Sequence, residues 1–131
     1  DVGDFWRQDY VVDGKEEIRR ALCIKNTIPN VSGVVFRRAA LTAALSELGE
    51  TLPQYKVAGD WLLYLHLAAT GKVAFCSKAL NVHRRHLGSV TKVNNHLDEV
   101  VEMQRQASGL VELDVARQKK MDRYVEYLKT I

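Results

Sequence analysis

Asp60 is a carboxylate standing in front of a segment in which every charged side chain is a cation. Between Trp61 and Leu97 the chain has no Asp or Glu, whereas Lys72, Lys78, Arg84, Arg85 and Lys92 fall there together with all four histidines. One acid beside concentrated positive charge suits chemistry on an anion-bearing molecule, because the cations attract phosphate and raise its local concentration. The loop before Asp60 and the apolar run after it put the residue at a helix start, where the helix N-terminus favours the ionised carboxylate. With a sugar hydroxyl presented to it, such a carboxylate acts as general base while the hydroxyl oxygen attacks an activated carbon. Trp61 offers a sugar ring an aromatic face or fills the core. The competing reading is a helix-capping acid and a solvated cationic face.

His83-Arg84-Arg85-His86 joins two guanidinium forks to two imidazoles. In an extended segment alternate residues face the same way, so Arg84 and His86 share one face and His83 and Arg85 the other. Either pair suits a leaving diphosphate, directly or through an imidazole beside a divalent metal bound to it. One histidine without neighbouring carboxylates makes a poor metal site, so His86 is at most a single ligand. His66, on an apolar helix, reads as a satisfied core position, and His96 as a surface residue.

These residues need a folded scaffold, and the composition allows one. The 131 residues are 47% hydrophobic and 27% charged, enough for one domain that buries roughly two thirds of its unfolded surface. No apolar run approaches the ~20 residues of a membrane span. The start Asp1-Val2-Gly3-Asp4 has neither an initiator Met nor a signal-peptide pattern, so the chain reads as a piece of something longer. Cys23 and Cys76, far apart in apolar surroundings, predict reduced, buried thiols. The net charge of +3 is too small to argue for nucleic acid, and Lys92–Ile131 balances seven basic against seven acidic residues.

In chain order, Phe5 to Tyr10 reads as an irregular aromatic lead-in. Asp13 and Glu16 read as a capping box that starts a helix ending near Lys25. Asn26–Asn30 is loop chemistry, and Ser32–Phe36 predicts a buried strand. Residues 39–48 predict a helix with Leu41, Ala44, Leu45 and Leu48 on one stripe and Gly49 as its stop. The helix opened by Asp60 is apolar almost all round and closes at Gly71. Lys72–Cys76 and Ala79–Val82 predict two strands. Two amphipathic helices, about 95–107 and 112–128, finish the chain, with Ser108-Gly109 as the break between them.

The ordered set Asn26-Thr-Ile-Pro-Asn-Val-Ser-Gly-Val-Val-Phe-Arg-Arg38, Ala-Gly-Asp-Trp61 with Tyr64, Gly71-Lys-Val-Ala-Phe75, Leu80-Asn-Val-His-Arg-Arg-His86 and Ser89-Val-Thr91 resembles the C-terminal half of family-2 glycosyltransferases. These are inverting enzymes of the GT-A fold that transfer sugars from nucleotide-sugars, often in bacterial surface polysaccharide synthesis. The resemblance covers about Phe5 to Thr91. It implies an α/β fold, here a mostly helical fragment with a few short strands. Residues 1–92 would form the acceptor-side part of the catalytic domain, and residues 93–131 would be amphipathic helices packed on it.

The resemblance further implies Asp60 as catalytic base, Ser32, Gly33 and Trp61 beside the acceptor, and Arg84, Arg85 and His86 over the donor diphosphate, with His86 nearest a metal. Where the family usually has Glu-Asp, this chain has Gly59-Asp60. No Asp-x-Asp and no Gly-rich phosphate loop occurs, so the donor half, with the Mg²⁺ or Mn²⁺ ligands, would lie in a missing N-terminal part. The fragment is therefore expected to be inactive alone and to self-associate through uncovered sheet edges. The implied partners are a nucleotide-sugar donor and a saccharide or glycolipid acceptor. The implied place is the cytoplasm, with the inner face of the membrane as an option. No nucleic acid is expected; the alternative function is a non-catalytic module gripping phosphates of nucleic acid or of an acidic partner.

Overall fold

The computed structural model describes residues 2–84, 86 and 96–131. Within them the chain is mostly helical with one small antiparallel sheet, a mixed α/β composition. A 3-10 turn at Val2–Arg7 leads into β1 (Tyr10–Asp13). Asp13 then caps α1 (Gly14–Glu17) by accepting from the Lys15 N–H at 2.9 Å, and the helix widens into a π-type turn over Ile18–Leu22. Glu16 does not complete a capping box; it pairs with Arg19 at 3.4 Å.

β1 pairs with β2 (Lys72–Phe75) in the register Tyr10↔Phe75 to Asp13↔Lys72. The Tyr10 and Phe75 rings stack at 5.3 Å, and Asp9 extends the pairing by accepting from the Ser77 N–H and hydroxyl. The aromatic lead-in therefore ends in a strand. Its short alternation, Tyr10 and Val12 half-buried with Val11 and Asp13 exposed, has the period of a sheet face.

α2 (Arg38–Leu48) buries Ala44 and Leu48 and stops at Gly49, whose φ of 49° is the left-handed region that glycine enters without strain. A 3-10 turn over Gly49–Gln54 leads to α3 (Gly59–Thr70), the apolar centre of the molecule, which buries Trp61, Leu62, Tyr64, Leu65 and Ala68. α4 (Leu97–Leu110) and α5 (Val115–Lys129, capped by Asp114) contribute Met103, Ala107, Val111 and Met121 to the same core as Ile18 and Leu22. The buried Gln104 amide satisfies itself by donating to the Ile24 and Met121 carbonyls at 3.0 and 3.2 Å, so α4 is tied to both the α1 segment and α5.

Several expectations are corrected. Ser32–Phe36 is not a buried strand. Val31–Gly33 forms an exposed 3-10 turn, and Val34–Phe36 runs extended with Val35 fully in solvent at 99% exposure. No described strand lies alongside to complete a ladder. Ala79–Val82 is likewise exposed and unpaired as a strand. Ser108-Gly109 lies inside α4, which runs on to Leu110. Cys23 is buried and Cys76 is exposed, so only one thiol belongs to the core. Burial pushes the Cys23 thiol up to about 11, which leaves it protonated and inert at neutral pH. Among the described residues no helix is long and apolar enough to cross a membrane.

Candidate active site around Asp60

Asp60 is the second residue of α3. Its Oδ1 accepts from the Trp61 N–H at 2.7 Å and from the Asn26 side-chain amide at 3.3 Å. Helix termini leave their first N–H groups without intrahelical partners, and the Asp60 carboxylate serves one of them. Burial raises its pKa above the usual carboxylate value, while the Trp61 N–H and the Asn26 amide pull it back. Burial prevails over the helix N-terminus, contrary to the weight that the sequence alone gives to the dipole. The result is a carboxylate more basic than a solvated aspartate.

One turn on, the Tyr64 hydroxyl is buried and without a hydrogen-bond partner, and its ring stacks on Phe36 at 6.5 Å. Burial, with the Asp60 carboxylate adding to it, pushes this hydroxyl up to about 12. It remains protonated and able to donate. Trp61 points the other way: the indole is 3% exposed, and its N–H donates to the Leu22 carbonyl at 2.9 Å. Its ring is core filling in this structure and presents no open face to a sugar.

Ser32 and Gly33 sit on the exposed turn. Three asparagines connect that turn to the other segments of interest. Asn26 reaches Asp60, and its own Oδ1 accepts from the Ile28 N–H, fixing the loop. Asn30 donates to Ser32 and to Asn81 Oδ1, the latter at 3.0 Å, and the Asn81 amide donates to the Ser32 carbonyl at 3.2 Å. The segment carrying the cations is thereby pinned to the turn carrying Ser32. His83, Arg84 and His86 are exposed, and no hydrogen bond or ion pair among the described residues joins them to Asp60. Arg85 and Ser89–Thr91 lie outside the described residues.

Mg²⁺ and Mn²⁺ take oxygen ligands, and among the described residues no three His, Cys, Asp or Glu side chains come together.

The residue that sequence reasoning passes over is Glu99, in the first turn of α4. It is 8% exposed, and its carboxylate accepts from the N–H groups of Lys56, Val57 and Ala58 at 2.6, 2.9 and 2.9 Å, the residues that lead into α3. Burial acts to raise its pKa, but the three N–H donors outweigh burial and hold it below the usual value. A signal was present. Glu99 falls at four-residue spacing on the stripe that continues as Met103, Ala107 and Val111, where an acid is out of place unless something binds it.

Two recesses mark the surface elsewhere: a groove of about 370 Å³ between α4 and α5, including Gln104, Ser108, Gln118 and Met121, and another of about 410 Å³ at the end of α3, including Asp13 and Thr70. No protein-family model, curated protein or solved structure matches the chain.

Proposed function

We propose that this chain is the acceptor-side part of an inverting glycosyltransferase of the GT-A fold, with Asp60 as the base that deprotonates the acceptor hydroxyl. The observation that carries this reading is the state of Asp60: one carboxylate at the start of the central helix, half-buried, held by the Trp61 N–H and the Asn26 amide, and made more basic by burial. General bases work best when the pKa is tuned towards the working pH. In the proposed reaction Asp60 takes the proton of an acceptor hydroxyl on a saccharide or glycolipid. The hydroxyl oxygen attacks the anomeric carbon of a nucleotide-sugar from the face opposite the leaving group, and the bond to the nucleoside diphosphate breaks. The exposed Arg84 and His86, with Arg85 beside them in sequence, carry the charge that balances the departing diphosphate.

The apolar side chains of Val35, Leu80 and Val82, all strongly exposed, support a further part of the reading. They lie on the two segments that the asparagines hold together, and on the proposed reading a donor-binding half covers them.

The test is a transfer and donor-hydrolysis assay on a polypeptide that joins this chain to a donor-binding half, screened over nucleotide-sugars with Mg²⁺ or Mn²⁺. Turnover that disappears in Asp60→Asn while donor binding persists is the expected result. Turnover retained in Asp60→Asn removes Asp60 from the mechanism, and no turnover with any donor removes the transferase reading.

A further inference from the structure

We infer that Glu99 is the positioning residue for Asp60: α4 clamps the backbone that opens α3, and the surroundings of the Asp60 carboxyl depend on that clamp. Ala58 is the N-cap of α3, a position where Ser, Thr, Asp or Asn normally accepts from the first turn, and alanine has no side-chain acceptor. Within the helix only the Trp61 N–H finds a carboxylate, that of Asp60, and the backbone that leads into it is held by another. Glu99 takes the N–H groups of Lys56, Val57 and Ala58, and Asp60 takes that of Trp61. Three consecutive backbone N–H groups converging on one anion form a nest. Here the anion is a side chain from a helix more than forty residues further along, since Ala58 and Glu99 are 41 residues apart in sequence.

Glu99 is itself held from two sides. It lies in the first turn of α4, so the N-terminal end of its own helix favours the charged form as well. Four residues on, Met103 is fully buried, which anchors this face of α4 against the core. The carboxylate cannot withdraw without unseating that turn of α4. The short stretch from Lys56 to Asp60 is therefore fixed at one end by Glu99 and at the other by the packing of Trp61, whose indole is locked to the Leu22 carbonyl. Asp60 sits between these two fixed points.

Removing the Glu99 charge frees the three N–H donors just before α3 and loosens the backbone that leads to Asp60. The burial that raises the Asp60 pKa then weakens, which favours the ionised carboxylate. The bearing of this clamp on sugar transfer rests on the reading of Asp60 as base, but the clamp is measurable with no sugar present.

The experiment is a carbon-detected NMR titration of the side-chain carboxyls in the 131-residue chain, as wild type and Glu99→Gln. In Glu99→Gln the Asp60 midpoint is expected to fall by roughly half a pH unit or more, about threefold in proton affinity. The amides of Lys56, Val57 and Ala58 should lose protection while those of α5 keep theirs. An unmoved Asp60 midpoint together with freely exchanging Lys56–Ala58 amides overturns the inference. Should Glu99→Gln not fold, the wild-type titration decides. In the wild type the Lys56, Val57 and Ala58 amide shifts must follow the Glu99 carboxyl midpoint and the Asp60 carboxyl must respond at that same midpoint, and an Asp60 signal that does not respond there overturns the inference just as well. Coupling without turnover in the transfer assay removes the transferase reading and upholds the clamp; turnover without coupling does the reverse.

Discussion

The Asn26 side-chain amide donates to Asp60 Oδ1 at 3.3 Å across 34 residues of sequence. The bond ties the loop from which Ile28 packs against the core to the opening turn of the central helix. The loop's order depends on it, since the Asn26 Oδ1 simultaneously holds the Ile28 N–H at 3.2 Å.

Asn26→Ala removes both bonds. A long hydrogen bond to a carboxylate and a local turn bond together contribute on the order of 1–2 kcal/mol. The expected result is a loss of that size in urea unfolding with an unchanged slope, and a further rise in the Asp60 pKa, because the amide that pulled it down is gone. A fall in the Asp60 pKa would show that the loop, once released, exposes the carboxyl to water.

Asp60 and Glu99 bias stability with pH in opposite senses. The folded pKa of Glu99 lies below its ordinary 4.5, so its contribution is fully present above that value and is lost as pH falls through the folded pKa. The folded pKa of Asp60 lies above its ordinary 3.8, so the folded state carries a penalty at neutral pH that is relieved as pH falls through the raised value. Asp60→Asn keeps an oxygen for the Trp61 N–H and removes the buried charge. It should be at least as stable as wild type at pH 7, with the gap closing towards pH 3.8. Glu99→Gln should be less stable than wild type at pH 7, with that gap also closing in acid. Denaturant midpoints measured from pH 7 down to pH 3 check both curves, and a gap that widens in acid refutes the assignment for that residue.

Much of this arrangement is written in residue patterns, and the exceptions have physical causes. The all-round apolar run after Asp60 fixes α3, because such a helix must be buried. Ser32–Phe36 has the composition of a buried strand, but a strand needs a neighbour for its backbone groups, and composition does not say whether one is present. Tyr10–Asp13 has the alternation but only four residues of it, beside aromatics that suggest irregular packing. The position of Asp60 at a helix start is legible. Its basicity is not, because burial is set by how distant segments pack around the helix start, and no local pattern brings Asn26, 34 residues away, to that carboxylate. The Glu99 clamp is legible only as an acid on an apolar stripe, with no hint of which backbone it binds.

Trp61 tests the boundary between site and core. Its ring is buried beside Leu22 and Leu62, and its N–H is the donor to the Leu22 carbonyl. Trp61→Phe should cost about 1–3 kcal/mol, from the lost ring volume and the carbonyl left without its donor. Trp61→Ala should cost about 3–5 kcal/mol. If the ring instead bound the acceptor from an exposed position, both changes would leave the unfolding midpoint nearly unmoved and weaken acceptor binding alone.

Two glycines make the sharpest contrast. At Gly14 a Cβ would fall 1.8 Å from the Ala68 carbonyl oxygen, and the Gly14 N–H donates to the Gly71 carbonyl at 2.8 Å, so the start of α1 crosses the end of α3 with no room for a methyl group. The atoms in the way are backbone, which cannot swing aside as a side chain would. Gly14→Ala should therefore cost several kcal/mol, at the severe end of single substitutions. At Gly109 nothing lies within 4 Å of the added carbon, and the residue is inside α4. The helix continues through Ser108 and Gly109 because burial of Met103, Ala107 and Val111 outweighs the ~1 kcal/mol that glycine costs a helix interior. Gly109→Ala recovers that cost and should raise stability by about 0.5–1 kcal/mol. Thermal unfolding of the two variants beside wild type checks both at once. A destabilised Gly109→Ala would mean that α4 ends before Leu110, as the Ser108-Gly109 pair suggests from sequence.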